Sequence, residues 1–428
     1  MDHPPLVVAL ALALVAPAAA GQTITPVGTD ATFDIATWNI EYFGVDGGNG
    51  IEKGPPVATQ LQNVHAVISQ AAIDLWAIQE IASPGTNAHP QEPVTWEELL
   101  IDLADDGYAG ILAPTLSGSI IRNGFIYDTS VFSDVSVQTP IAQTQFFGAK
   151  APLELTATVT VGGESRRVHV LTFHAVSSNT AEAHQNRKTA AGLLKDYVDG
   201  LIAEGELVVL LGDFNDLLTK ARWRLPLPNS GLPAQPSPYE AFLDDPDYVA
   251  ATLSLELNAI PTFCGRNTPA KLCGGLLTID HILQSASVPD PVEVRRYDFV
   301  LAPLHPYAET TSDHAPVFAR YDFGTAARTG SAASAQAGPD RTDPGRLLSA
   351  SPNPFRGATD LRFTLDVASV VQIEMFDVLG RQVFAAERSF DAGDHAVPLA
   401  AEALVPGSYV VRLTTGDAVQ TAVVVRRD

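Results

Sequence analysis

The stretch LVVLLGDFND, residues 207–216, carries the heaviest structural signal in the chain. Its apolar run from Leu207 to Leu211 reads as a buried strand, and Gly212 permits a tight exit. Asp213 and Asn215 follow with one residue between them. Alternate residues of an extended chain share a face, so a carboxylate and an amide leave the strand end together. Taken alone, the arrangement is either an Asx-stabilised turn or part of a site.

Working outward, further fragments repeat that layout. TWNIEYF (37–43) sets Asn39 beyond a strand, LWAIQE (75–80) sets Glu80, and LTFHAVSS (171–178) sets His174. SDHAPV (312–317) puts Asp313 and His314 before another strand, and Asp280-His281 sits within LTIDHIL (277–283). Each has a plain alternative: Asn39 capping a turn, Glu80 on the surface, a histidine satisfied in the core. His281 falls opposite Asp280 on its strand and is set aside. The strands FDIATWNI (33–40), IDLWAIQ (73–79), RVHVLTFHA (167–175), ELVVLLGDF (206–214), LTIDHILQ (277–284) and HAPVFARYDF (314–323) alternate with helical stripes at 61–68 and 182–203. Such alternation predicts sheets covered by helices, an α/β or α+β architecture.

The 428 residues are too many for one typical domain, and 46% hydrophobic against 18% charged content, with mean hydropathy +0.10, excludes wholesale disorder. No apolar run approaches the ~18 residues of a spanning helix. Net charge is −23, and the region 31–324 holds 35 acids against 16 bases. Binding of polyanions by a broad basic surface is excluded, so phosphate recognition must be local and metal-assisted. The acid-rich surface also suits a saline habitat.

Residues 6–16, LVVALALALVA, followed by Pro17 and three alanines, read as a signal peptide spanning 1–20, although MDHPPL lacks the usual basic residues. Export would bring Cys264 and Cys273 into oxidising conditions, where they either pair or stay as buried thiols. Pairing across that gap would contribute roughly 2.5–3 kcal/mol on the loop-entropy model. Residues 325–349, rich in Ala, Gly, Ser, Arg and Pro, read as a flexible linker. Residues 350–428 then carry six strand-like runs separated by Gly or Asp turns, a small β-sandwich.

The order Asn, Glu, His, Asp-x-Asn, Asp, Asp-His across residues 31–324 resembles the endonuclease/exonuclease/phosphatase (deoxyribonuclease-I-like) superfamily, most specifically in GDFND and SDHAPV. The resemblance implies a four-layer α-β-β-α sandwich with its site at one sheet edge, and a divalent cation, Mg²⁺ or Mn²⁺. It implies metal contacts from Glu80, Asn39 and Asp313. Asp213 and Asn215 would orient or activate the attacking water. His314, paired with Asp280, would act as general base or phosphate-binding histidine, and His174 would donate to a phosphate oxygen. Hard oxygen donors suit Mg²⁺ or Mn²⁺, and phosphoryl transfer needs charge neutralisation with an aligned water. Glu41 stands where some nuclease members carry a basic residue, which weakens duplex DNA binding. Arg122 and Tyr127, in SIIRNGFIYD, either face the phosphate or pack.

The segments SPNPFRGATDLRF, VQIEMFDVLGRQV and LVPGSYVVRL resemble the type A sorting domain of type IX secretion. That resemblance implies handling by the type IX machinery and a secreted or surface-attached protein. The expectation is therefore a monomeric extracellular phosphodiesterase, first a nuclease on DNA or RNA. Competing readings are a sphingomyelinase-like enzyme, for which Phe146-Phe147 is the nearest membrane-seeking pair, an inositol or sugar phosphatase, and a non-catalytic surface binding protein.

Overall fold

The computed structural model describes residues 23–45, 54–83, 94–117, 119–222, 235–264, 277–301, 303–324 and most of 349–426. The expected signal peptide, nearly all of the expected linker and Cys273 lie outside them. The elements of the larger region are β1 (Phe33–Phe43), α1 (Val57–Ala71), β2 (Leu75–Ala82), α2 (Val94–Ala104), β3 (Tyr108–Leu112), β4 (Ile121–Asp128), β5 (Phe132–Gln138), β6 (Leu153–Val161) and β7 (Glu164–His174). They continue with α3 (Ala181–Ala203), β8 (Leu207–Asp213), α4 (Glu240–Leu243), β9 (Tyr248–Ala250), α5 (Leu253–Leu257), β10 (Asp280–Ser285), β11 (Glu293–Arg296), α6 (Tyr307–Thr310) and β12 (Val317–Tyr321).

Two six-stranded sheets result, ordered β11-β12-β1-β2-β4-β3 and β5-β6-β7-β8-β10-β9. Three apolar clusters show how they stack. Phe33, Ile35, Leu75 and Ala77 of the first sheet meet Leu155, Val170, Val209 and Leu211 of the second. On the other face of the first sheet, Trp38, Trp76 and Ile78 pack against Val64, Val67 and Ile68 of α1 and Leu99 and Leu103 of α2. On the far side, Leu171, Phe173, Val208 and Leu210 pack against Ala190, Ala191, Leu194 and Val198 of α3. The order is helix, sheet, sheet, helix. Both faces of each sheet are covered, which is why β8 reads as an unbroken apolar run rather than an alternating one.

Strand parity then decides where the polar residues go. Ile35, Val170, Val209 and Ile282 point between the sheets. Asn39, His174, Asp213 and Asp280 lie an even number of residues from them, at one end of their strands, and face the same way. His281 has the opposite parity and lies against Phe214, with Thr252 Oγ1 3.2 Å from its Nδ1. Burial drives its pKa down to about 4.

The C-terminal elements are β13 (Ser349–Ser351), β14 (Ala358–Leu365), β15 (Ser369–Asp377), β16 (Gln382–Phe390), β17 (Gly393–Ala400), β18 (Gly407–Thr415) and β19 (Ala418–Arg426). They form sheets ordered β13-β14-β17 and β16-β15-β18-β19, closed over Leu361, Phe363, Val371, Ile373, Val397, Val411 and Leu413. All six strand-like runs of the sequence are strands. The short β13 had no alternation to reveal it.

Candidate active site

Three neighbouring strands deliver the centre of the site in register. His174 at the end of β7 pairs with Asp213 at the end of β8, and Asp213 pairs with Asp280 at the start of β10. Gly212 makes that alignment possible: a Cβ there would lie 2.0 Å from Phe173 O. No other residue can bring β8 so close to β7 one position before the carboxylate.

The first sheet contributes from across the gap. Asn39 Nδ2 donates to Asp213 Oδ2 at 2.9 Å and to Glu80 Oε1 at 3.1 Å, while its Oδ1 accepts from Glu41 N at 3.0 Å. Glu80 would face the helices if β2 were regular, since Trp76 and Ile78 do. A register shift between Ile78 and Ile81, with Glu80 at φ 65°, turns it inward instead. Its Oε2 accepts from Tyr42 N at 3.1 Å. Positive φ at Glu41, Tyr42 and Asn215 gathers further backbone strain around the same point.

His174 Nε2 lies 3.4 Å from Asp213 Oδ2 and 3.7 Å from Glu80 Oε1. His314 Nδ1 lies 2.8 Å from Asp280 Oδ2, and its Nε2 lies 3.9 Å from both Asp213 Oδ2 and Asp313 Oδ1. Ser312 Oγ accepts from His314 N and donates to Asn39 O at 2.6 Å, tying the SDHAPV segment to β1. Asp313 N donates to Glu41 Oε2 at 3.0 Å. Asn215 N donates to Asp213 Oδ1 at 2.8 Å. The structure thus brings all eight residues singled out by the sequence into one cluster. Arg122 donates to Ala82 O at 3.1 Å, and Tyr127 packs against Phe132.

Burial dominates the electrostatics. It pushes Glu80 up, with the Asp313 charge adding to the effect, and pushes Asp213 up to about 7. It also drives His174 well below the ordinary histidine range, helped by the nearby Lys150 charge. For His314 burial acts downward too, but the carboxylates of Asp280, Asp213 and Asp313 outweigh it and hold His314 well above that range.

Among the described residues, two sets of donor atoms each lie within 4.8 Å of one another: Glu80, His174 and Asp213, and Asp213, Asp280 and His314. Asp213 belongs to both. Asp280 Oδ1 and both ring nitrogens of His174 are buried without hydrogen-bond partners among the described residues, as expected of groups that await a cation or an anionic ligand. The carboxylate-rich donor set fits a hard divalent ion. Asn39 turns its amide nitrogen toward the carboxylates of Glu80 and Asp213 and its oxygen toward Glu41 N. Asp313 lies outside both donor sets.

Lys150 escaped the sequence reading, being a single lysine in a loop without periodicity. It is buried, donates to Ala175 O at 3.3 Å, and is brought down to about 8 by burial, partly offset by the charges of Glu80 and Asp213. Phe147 is fully buried and Phe146 packs against the α3-side core. The pair is thus engaged in the α3-side core. Among the described residues no helix is long and apolar enough to cross a membrane.

Residues 349–426 match the secretion system C-terminal sorting domain, which marks the chain as a type IX secreted or cell-surface protein. No curated protein matched the sequence. Among solved structures, the chain is similar to an endonuclease/exonuclease/phosphatase from Beutenbergia cavernae DSM 12333, with 19% identity, 92% of this chain and 100% of that chain covered, and a TM-score of 0.49. A Bacteroides vulgatus endonuclease/exonuclease/phosphatase gives 14% identity, 68% and 98% coverage, and 0.42. The human Nocturnin catalytic domain with bound sulfate gives 14%, 69% and 96%, and 0.41. Residues 36–314, which span every residue of the cluster, match a single family over nearly two thirds of the sequence. The chain belongs to the endonuclease/exonuclease/phosphatase family of hydrolases.

Proposed function

We propose that this protein is a secreted, divalent-metal-dependent phosphodiesterase whose first substrate class is extracellular nucleic acid, with residues 31–324 as the catalytic domain and 325–349 as a linker to the sorting domain. The observation that carries the reading is the position of Asp213, shared between the Glu80–His174 and Asp280–His314 donor sets.

Glu80 and Asp213 would hold a Mg²⁺ or Mn²⁺ ion, with Asn39 fixing both carboxylates. The bound ion would neutralise charge on the non-bridging phosphoryl oxygens. Asp213 is the carboxylate placed to accept a proton from the attacking water. Asn215, anchored to the Asp213 carboxylate through its own N–H, orients that water. His314, held well above the ordinary histidine range by the carboxylates of Asp280, Asp213 and Asp313, presents Nε2 to a phosphoryl oxygen, while Asp280 fixes its ring through Nδ1. His174 stays neutral and donates one N–H to another oxygen of the same phosphate. The buried Lys150, whose charge acts on His174, favours an anion there.

Nucleic acid is favoured over phospholipid because Phe147 of the candidate membrane-seeking pair is buried with Phe146 packed against the core, and among the described residues of this region the exposed large apolar side chains are Ile101, Ile120 and Phe299. A panel of plasmid DNA, single-stranded RNA, sphingomyelin and inositol phosphates with added Mg²⁺ or Mn²⁺ tests the proposal. Nicking or degradation of nucleic acid that EDTA abolishes is expected. Turnover of sphingomyelin or inositol phosphates alone would replace the substrate class, and no hydrolysis of any of them would remove the proposal.

A further inference from the structure

Four consecutive backbone carbonyls follow His174, and each accepts from a cationic side chain. Lys150 takes Ala175 O at 3.3 Å, Arg187 takes Val176 O at 2.8 Å and Ser178 O at 2.9 Å, and Arg222 takes Ser177 O at 2.9 Å. The two arginines are linked through Asp216, the second aspartate of GDFND. Asp216 Oδ2 accepts from Arg187 Nε at 2.8 Å, and its Oδ1 accepts from the backbone N–H groups of Leu217, at 3.0 Å, and Arg222. Arg187 and Asp216 are both fully buried. Arg222 then reaches back to the site: its Nη1 donates to Asn215 Oδ1 at 3.1 Å.

That contact settles which way the Asn215 amide points. A guanidinium only donates and a backbone carbonyl only accepts, so Oδ1 must face Arg222 and Nδ2 must face Ala175 O, which lies 3.2 Å away. The nitrogen has two N–H groups, and Ala175 O takes one. The other is aimed by a cation that also polarises the amide toward stronger donation. Asn215 is held at φ 51°, a conformation that needs such external fixing.

We propose that Arg222, anchored by Arg187 through Asp216, is a positioning residue for hydrolysis: it fixes the Asn215 amide and joins the loop after Asp213 to the loop after His174. The proposal rests on the phosphodiesterase reading given above. It goes beyond that reading by assigning a function to three residues that touch no reacting atom.

The test is a double-mutant cycle on Arg222 and Asn215, using bis(4-nitrophenyl) phosphate with Mn²⁺ as the probe substrate. Arg222→Ala should lower kcat by about 10–30-fold with KM within about twofold, since misplacing a reacting group costs up to about 10²-fold. In the Asn215→Ala background the same change should cost less than about twofold, because the contact it removes is already gone. Arg222→Lys should fall between, as a single ammonium cannot hold Asn215 Oδ1 and Ser177 O together, and it carries the test should Arg222→Ala fail to fold. Guanidinium ion should restore part of the Arg222→Ala rate. Multiplicative losses in the double variant, or a single variant within twofold of the wild type, would overturn the proposal. The side-chain ¹⁵N–¹H₂ resonance of Asn215 supplies a readout free of turnover: it should move in Arg222→Ala, and an unmoved resonance would overturn the proposal even if the wild-type protein hydrolysed no phosphodiester.

Discussion

Replacing Asp280 by asparagine probes the site at its most sharply defined contact. The carboxylate lies 2.8 Å from His314 Nδ1 and is fully buried, with its other oxygen unpartnered. The amide is nearly isosteric, so the packing survives, while the charge facing the ring is removed. Burial lowers the His314 pKa, and the aspartates Asp280, Asp213 and Asp313 outweigh it. Without Asp280 that balance moves toward the neutral imidazole, and the new amide is free to select the opposite tautomer. Equivalent changes in carboxylate–histidine pairs cost about 10²–10⁴ in kcat, or about 3–5.5 kcal/mol at the transition state. Asp280→Asn should therefore lower kcat on bis(4-nitrophenyl) phosphate by at least about 100-fold. The alkaline limb of its pH–rate profile should move to lower pH, because the variant histidine surrenders its proton more readily. Circular dichroism and the melting temperature should stay close to those of the wild type. A kcat within about threefold of wild type, with an unmoved alkaline limb, would refute the assignment of His314 as the proton-bearing group.

Other outcomes follow from the same geometry. Mn²⁺ at about a hundredfold excess over its dissociation constant should stabilise the protein by about 2.7 kcal/mol, visible as an upward melting shift that Glu80→Gln largely abolishes; equal shifts in both proteins would remove Glu80 as a ligand. Asp74 is a buried carboxylate raised from 3.8 to about 8 by burial, with the Asp34, Asp128 and Asp30 charges adding to it, although it accepts from Asp34 N at 2.7 Å. A carboxylate raised on folding destabilises fully above its folded value, and the penalty fades as pH falls through about 8 toward 3.8. The ceiling is about 6 kcal/mol and about 2–3 is a realistic share after relaxation. Asp74→Asn should thus raise the melting temperature at pH 9 and bring little gain at pH 5; a gain independent of pH would show that Asp74 is not buried as a charge. The net charge of −23 predicts that hydrolytic activity persists in molar NaCl, and precipitation there would end that expectation.

Much of the architecture was legible because both sheets are covered on two faces. Strands such as 207–211 and 168–171 then appear as apolar runs, and the α3 stripe stands out between them. Elements without such contrast were not legible: β3, the exposed β5, and α2, which carries the exposed Ile101 on its own surface. For the site, parity alone carries Asn39, His174, Asp213 and Asp280 to one face, because each lies in the regularly paired part of its strand. Glu80 is different. Its inward turn depends on a bulge and a positive φ that no alternation pattern encodes, so its place near a strand end was legible but its direction was not. The orientation of Asn39 was likewise hidden, since only the positions of Glu41 N and the two carboxylates set which way its amide points. Lys150, Arg187, Asp216 and Arg222 were invisible for a related reason. Their roles come from loops meeting across the end of the second sheet, contacts with no signature in local spacing.

The account depends most on a divalent ion seated between the two sheets. Anomalous diffraction from crystals of the full chain grown with Mn²⁺ tests this directly. The account predicts a peak between the carboxylates of Glu80 and Asp213, lost in Glu80→Gln. Manganese bound only at surface acids, with the space between those two carboxylates empty, would contradict it.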